Sequence, residues 1–206
     1  MGKRVQRIRL LATGSLAAGG LILTAAAPAS ATRSASDPTT SPAAADSKEK
    51  SSLLHRQARS DAELREQVAL QLKIAPGGIQ TSRNEVSYDN GRFVVTYALP
   101  QQVAAGTADC PSGWFCFYDG ANFGYPRGKL SSCWWQDLAT YGWSDRTSSV
   151  DNGDTNAIGY INHDDGGNPA NGHSDDDPLF WDQWNESIAY LAPDHNNKAD
   201  HVYRYC

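Results

Sequence analysis

The sequence has no G-x-S-x-G, no H-E-x-x-H and no G-x-x-x-x-G-K-[ST] run. The common hydrolase nucleophile, zinc-peptidase and nucleotide-binding motifs are therefore missing. Cysteine does not occur before residue 110, and basic residues are scarce in the last half, where 109–206 hold five Lys or Arg against 15 Asp or Glu. Such an acidic half excludes nucleic acid and anionic membranes as partners and leaves basic surfaces and cations. No undiluted apolar run of membrane-spanning length occurs either, because Leu10–Ala27 is interrupted by Thr13, Gly14, Ser15, Gly19, Gly20 and Thr24.

That interrupted run has another meaning. Lys3, Arg4, Arg7 and Arg9 precede it, and Ala29-Ser30-Ala31 follows as an A-x-A cleavage site. Residues 1–31 read as a signal peptide, so a secreted, extracellular chain starting near Thr32 is expected. No Cys lies near the cleavage point, and no membrane anchor or lipid anchor is indicated. Export also decides how the four cysteines are read. An even number in an oxidising compartment implies two disulfides rather than a metal site or catalytic thiol. Cys110, Cys116, Cys133 and Cys206 allow three pairings, and spacing alone does not choose between them. The expected arrangement is a local Cys110–Cys116 clip with a long Cys133–Cys206 bridge.

Composition divides the rest of the chain. Residues 32–59 are rich in Ser, Thr, Ala, Pro, Asp and Lys, and read as a disordered leader. A helix–hairpin unit follows over 60–100. Ser60-x-x-Glu63 is a capping box, Leu64, Val68 and Leu72 recur at helical spacing, and Pro76-Gly77-Gly78 stops the helix. Glu85–Tyr88 and Arg92–Leu99 flank Asp89-Asn90-Gly91, a hairpin signal. This unit is too small for a core of its own. From Cys110 onward all six Trp appear, and short aromatic or β-branched runs alternate with Gly, Asn and Asp clusters. That is the pattern of an all-β sandwich over 109–206.

One pattern is doubled inside that domain. Phe117–Gly124 and Tyr160–Gly167 each run from an aromatic residue to a glycine seven positions on, 43 residues apart. Each precedes a polar turn, Ser144–Ser149 and Asn196–His201, as a two-motif Greek-key sandwich would require. The pair resembles the βγ-crystallin signature. The run Cys110–Tyr118, then Ala121–Gly124, Ser144–Val150 and Tyr203–Cys206, is similar to the secreted actinobacterial peptidase inhibitor family related to the Streptomyces metalloproteinase inhibitor. The resemblance covers 109–206. It implies an all-β, βγ-crystallin-like two-Greek-key sandwich, preceded by the helix–hairpin α+β unit and the leader. It also implies a non-enzyme that inhibits a secreted protease, a metalloprotease above all, as a monomer. No inhibitory loop carries over by motif, and no catalytic residue is expected.

Two other functions are compatible with the residues. In βγ-crystallins the polar turns exchange calcium ligands, and Asp145, Ser148, Asn197 and Asp200 would form such a site. Ser144, Asp200 and His201 depart from the pattern, so the turns are equally read as structure, and no cofactor is required. A glycan- or cell-surface-binding module is the third reading, with Trp134, Trp135, Trp143, Trp181 and Trp184 as stacking platforms, although most of these Trp are expected in the core. The insertion Asp164–Asp177 holds five Asp and reads as a solvated loop or a cation site. His55, His163, His173, His195 and His201 show no zinc-ligand spacing.

Overall fold

The computed structural model describes residues 52–102, 106–153, 155–163, 173 and 175–206. The signal peptide expected over 1–31 and residues 32–51 of the expected leader lie outside these. The rest of that leader does not match the expectation. From Ser52 the chain packs, and Leu53, Leu54 and Ala58 are buried. The apolar pair Leu53-Leu54 supplies the surface that the preceding Ser, Thr and Pro residues lack.

Helix α1 spans Asp61–Ile74, with the Ser60 side chain accepting from Glu63 N. Glu63 itself reaches back to Arg59 N at 2.8 Å and to the Arg56 guanidinium at 2.8 Å. These bonds hold its carboxyl down at about 2. The buried stripe of α1 is Leu64, Gln67, Val68 and Gln71, so two of its four inward positions are amides. Gln67 Nε2 donates to Leu53 O, and Gln71 Nε2 donates to Tyr141 O at 2.7 Å while Gln71 Oε1 accepts from Tyr97. These bonds offset the cost of burying the amides and fix the helix to different segments, although Gln67 Oε1 has no partner among the described residues.

Strands β1 (Ile79–Ser82), β2 (Glu85–Tyr88) and β3 (Phe93–Thr96) follow. The β2–β3 turn is Asp89-Asn90-Gly91, with φ of 49°, 55° and 90°. Asp and Asn tolerate this left-handed region and Gly enters it freely. Eight further strands complete the fold: β4 (Trp114–Gly120), β5 (Gly124–Leu130), β6 (Trp134–Asp137), β7 (Ser149–Gly153), β8 (Ile158–Asn162), β9 (Asp177–Asp182), β10 (Ser187–Ile188) and β11 (His201–Arg204).

Two antiparallel sheets result. Sheet A has the order β1-β2-β3-β5-β4-β7-β10, and sheet B the order β6-β11-β8-β9. The first repeat, β4 to β7, keeps three strands in sheet A and sends β6 to sheet B. The second, β8 to β11, keeps three in sheet B and sends β10 to sheet A. This reciprocal exchange makes the C-terminal half the all-β, two-Greek-key sandwich expected. The helix–hairpin residues are not separate from it, because β3 pairs Phe93–Thr96 with Arg127–Leu130 of β5.

One apolar cluster joins α1, both sheets and the turn at Leu138–Tyr141. It contains Leu64, Val68, Phe93, Val95, Phe115, Phe117, Leu130, Tyr141, Trp143, Tyr160 and Val202. Burying an aromatic or aliphatic side chain contributes roughly 1.5–3 kcal/mol, so this cluster dominates the stability. Phe93 stacks on Tyr141 at 3.9 Å, linking hairpin and sandwich, and Phe117 meets Trp143 edge-on at 5.3 Å. Strand β4 alternates, as its pleat demands. Phe115 and Phe117 face that core, whereas Cys116 and Tyr118 face a second cluster with Phe123, Cys110 and Tyr125. Arg146 fixes the segment 52–59. It pairs with Asp119 at 2.7 Å, donates to Leu54 O at 3.1 Å and to Gly142 O at 2.9 Å, and lies over the Trp143 ring.

Candidate functional site

The two polar turns lie side by side and are related by the repeat. Asp145 N donates to Ala199 O at 3.1 Å, and Asn197 N donates to Thr147 O at 2.9 Å. Asp145 and Asn197 both occupy left-handed backbone, with φ of 58° and 55°. Ser148 N bonds Tyr118 O and Asp200 N bonds Ile161 O, each one residue past the motif aromatics Phe117 and Tyr160. Backbone symmetry is therefore preserved, but the side chains break it. Ser149 Oγ donates to Gly120 O at 2.8 Å and accepts from Phe123 N at 3.0 Å, closing the first hairpin where Asn122 and Phe123 turn left-handed. His201 stands at the matching position of the second repeat, without a hydroxyl.

The four residues expected as calcium ligands all belong to these turns. Ser148 and Asn197 are brought together, but Ser148 Oγ donates to Asn197 Oδ1 at 2.9 Å, so each satisfies the other. Asp200 Oδ2 accepts from His163 N at 3.0 Å. Asp145 sits at the left-handed corner of the first turn. A cation using this set would have to compete with the bonds that Ser148, Asn197 and Asp200 already make.

A different surface is built by sheet B. Across its four strands, Trp135 of β6 faces Tyr203 of β11, Tyr203 faces Gly159 of β8, and Gly159 faces Trp181 of β9. Val202, Ile158 and Tyr160, at alternate positions, point into the core. The row itself points out, with Trp135 40% and Trp181 43% exposed, flanked by Trp134 and Tyr205. Gly159 has no side chain because Trp181 covers it; a Cβ there would meet the indole at 2.9 Å. Trp135 packs edge-on to Tyr203 at 5.2 Å, Tyr203 on Tyr205 at 4.9 Å, and Tyr205 stacks on Trp181 at 5.9 Å. Together with Ile161 and Pro178 these rings line an open cavity of about 370 Å³. The Cys133–Cys206 disulfide joins the residues that precede β6 and follow β11, at the margin of this row. The second bridge, Cys110–Cys116, lies on the opposite face of β4.

The placement of the tryptophans corrects the expectation that most of them fill the core. Only Trp143 is fully buried, and Trp134, Trp135, Trp181 and Trp184 are exposed. The inward positions of sheet B are taken by Ile158, Tyr160 and Val202, and the two-residue period leaves the outer positions to Trp135 and Trp181. Contiguous exposed aromatics of this kind mark interaction surfaces.

Comparison with known proteins adds a family likeness over part of the chain. Residues 103–164 match peptidase inhibitor family I36. The I36 match agrees with the resemblance read from the sequence, points to a protein that is not an enzyme, and implies a protease as partner. No curated protein matches the chain. Two solved structures resemble it in part. One is described as "Evolution of the eye lens beta-gamma-crystallin domain fold", with 18% identity, TM-score 0.35, and coverage of 48% of this chain and 94% of that one. The other is spherulin 3a from Physarum polycephalum, with 21% identity, TM-score 0.31, and coverage of 50% and 93%. The I36 segment runs from before β4 to just past β8. It therefore holds Trp134, Trp135 and Gly159 of the aromatic row, while Trp181, Tyr203 and Tyr205 lie downstream.

Beneath the row, at the end of β9, Asp182 is buried with neither carboxyl oxygen hydrogen-bonded among the described residues. Burial, and then the charges of Glu186 and Asp151, push its pKa up to about 8. The Tyr160 hydroxyl, also without such a partner, is raised well above its ordinary value, by burial first and then by Asp182. Asp182 escaped the sequence reading, and Trp134, Trp135 and Trp181 entered it as stacking platforms but not as one row with Tyr203 and Tyr205. A signal for the row was present in the adjacent pair Trp134-Trp135, which cannot both face inward on a strand. Nothing local marks Asp182 among 15 acidic residues.

Proposed function

We propose that this chain is a secreted, monomeric proteinase inhibitor directed at metalloproteases, and that the aromatic face of sheet B is the surface it presents. The observation that carries the reading is the exposed row Trp135–Tyr203–Gly159–Trp181, on a domain whose 103–164 segment matches an inhibitor family. Inhibition by tight binding needs no catalytic group. It needs a rigid surface whose side chains lose little freedom on docking. Trp and Tyr suit this role, since they bring large contact area on few rotatable bonds and dominate interface hot spots. The Cys133–Cys206 bridge supports rigidity at the margin of the row, and Trp134 beside it is held at φ 65°, a strained conformation for a bulky residue.

The test is a titration of the full secreted chain against a thermolysin-like protease and, in parallel, a serine protease. Stoichiometric inhibition of the first, weakened at least tenfold in Trp135→Ala and Trp181→Ala, is the expected result. No inhibition of either protease at micromolar concentration removes the proposal. Inhibition that both variants retain in full keeps the activity but assigns it to another surface. The same aromatic row favours a second reading, stacking on sugar rings. Saturable binding of an oligosaccharide by a chain that inhibits no protease would establish that function instead.

A further inference from the structure

The second repeat replaces the hairpin-closing serine of the first with His201, and three other groups converge on that ring. His163 follows β8, Asp176 precedes β9, and His173 lies three residues before Asp176. The Asp176 carboxylate holds His163 Nδ1 at 3.1 Å through Oδ1 and His173 Nδ1 at 2.9 Å through Oδ2. His201 Nε2 lies 3.5 Å from the same Oδ2, and the imidazole rings of His163 and His173 lie 5.6 and 4.8 Å from that of His201. One ligand atom each from His163, Asp176 and His201 fall within 4.8 Å of one another.

We propose that His163, Asp176 and His201, with His173 as a fourth donor, form a binding site for a borderline divalent transition-metal ion, zinc above all. The inference does not rest on the inhibitor reading.

His201 carries the argument. Its side chain is only 10% exposed, yet neither ring nitrogen has a hydrogen-bond partner among the described residues. A buried imidazole without partners costs free energy unless something else occupies its nitrogens. Asp176, 3% exposed in its side chain, is the nearest compensating charge. It is shared among three imidazoles, and His201 receives the longest of the three contacts. A dication at the centre would satisfy the carboxylate and the His201 nitrogen together. Asp137 Oδ1, 3.9 Å from His201 Nδ1, stands on the far side of the ring, where a group that orients a ligating histidine belongs. A cavity of about 220 Å³ opens against His163, His201, Asp137 and Asp200 and gives the ion a way in.

The donor set selects the metal. Imidazole nitrogens with one carboxylate suit zinc and its neighbours, whereas calcium takes six or more oxygens. Zinc–nitrogen bonds of about 2.0–2.1 Å place tetrahedral ligands about 3.3 Å apart. The cluster must therefore contract, and the two partly exposed rings, His163 and His173, are the ones able to turn. Chain order hides this site, because its donors come from both ends of the β8–β9 connection and from the second repeat's own turn.

Isothermal titration of the chelator-treated full chain with zinc chloride tests the proposal. One zinc ion per chain at micromolar affinity or tighter is expected, with His163→Ala at least tenfold weaker and His195→Ala unchanged. His163 is 47% exposed, so its variant folds even where His201→Ala does not, and far-ultraviolet circular dichroism verifies this. Asp176→Asn provides a second variant and should weaken binding by a similar factor. Absence of stoichiometric zinc binding overturns the proposal. So does zinc affinity that His163→Ala and Asp176→Asn leave unchanged, or displacement of bound zinc by millimolar calcium.

Discussion

Replacing Asp182 by Asn should make the protein more stable, and increasingly so as pH rises. In the folded chain the carboxyl pKa is about 8 against an ordinary 3.8, because burial and then Glu186 and Asp151 disfavour the anion. Between these values the folded state keeps a proton that the unfolded chain has released. Stability then falls with rising pH by about 1.4 kcal/mol per unit, begins to fall near pH 4 and levels off above pH 8. At pH 7 the wild-type penalty reaches about 4 kcal/mol. Asparagine cannot ionise and removes it, but its amide adds a donor where the carboxyl oxygens already lack partners, a cost of roughly 1–3 kcal/mol. The net gain at pH 7 is therefore about 1–3 kcal/mol. Urea unfolding of both proteins at pH 4.5, 6 and 7.5 reads the effect directly, since other titrating groups are common to the pair. The stability difference should widen by about 4 kcal/mol across that range in favour of the variant. A difference that stays constant with pH would refute the buried, protonated carboxyl. So would a difference that moves the other way.

Three further outcomes are expected. Ser149→Ala removes the hydroxyl that bridges Gly120 O and Phe123 N, and should cost about 1–3 kcal/mol in chemical denaturation, since both backbone groups are left buried. Arg146→Met strips Asp119 of its buried guanidinium and releases Leu54 O; a loss of about 3–5 kcal/mol is expected, with faster proteolytic cutting within 52–59. Replacing Cys133 and Cys206 together by Ser opens a loop of sequence separation 73, which in the loop-entropy model costs about 4 kcal/mol. Thermal unfolding should report that cost, and the emission of Trp134 and Trp135 should broaden as their strand loosens.

The residues that were legible from sequence are those whose meaning is local. Asp89-Asn90-Gly91 specifies left-handed backbone by itself, and the hairpin follows. Ser60 and Glu63 mark the helix start wherever the helix packs. Phe117 and Tyr160 announce a repeat because in each copy the next residue's carbonyl accepts from its own polar turn, Tyr118 O from Ser148 N and Ile161 O from Asp200 N. What the sequence withheld depends on partners far along the chain. Nothing in Phe93–Thr96 says that β5 lies beside it, since backbone pairing carries no side-chain code. Trp135 and Trp181 read as core filler until the register shows that Ile158 and Val202 hold the inner face. His201 was visible as a departure from the turn pattern. Its neighbours were not, because His173 and Asp176 stand 28 and 25 residues before it, at no ligand spacing that a sequence motif marks.

The pairing of β3 with β5 bears on how the chain can be shortened. Arg127–Leu130 would be the outermost strand of the sandwich if the residues before 103 were removed. Its amides and carbonyls would then face solvent in an unbroken row, next to Phe117 and Tyr141 stripped of their cover by Phe93. Such a bare margin recruits whatever strand is at hand, and in a purified preparation that is the same margin of another molecule. A form cut back to the I36 segment and the strands after it would fail by self-association before it failed by unfolding. The hairpin that precedes the family match thus acts as a guard strand: it covers the β5 margin of an acidic domain, which would otherwise pair with the same margin of a second molecule.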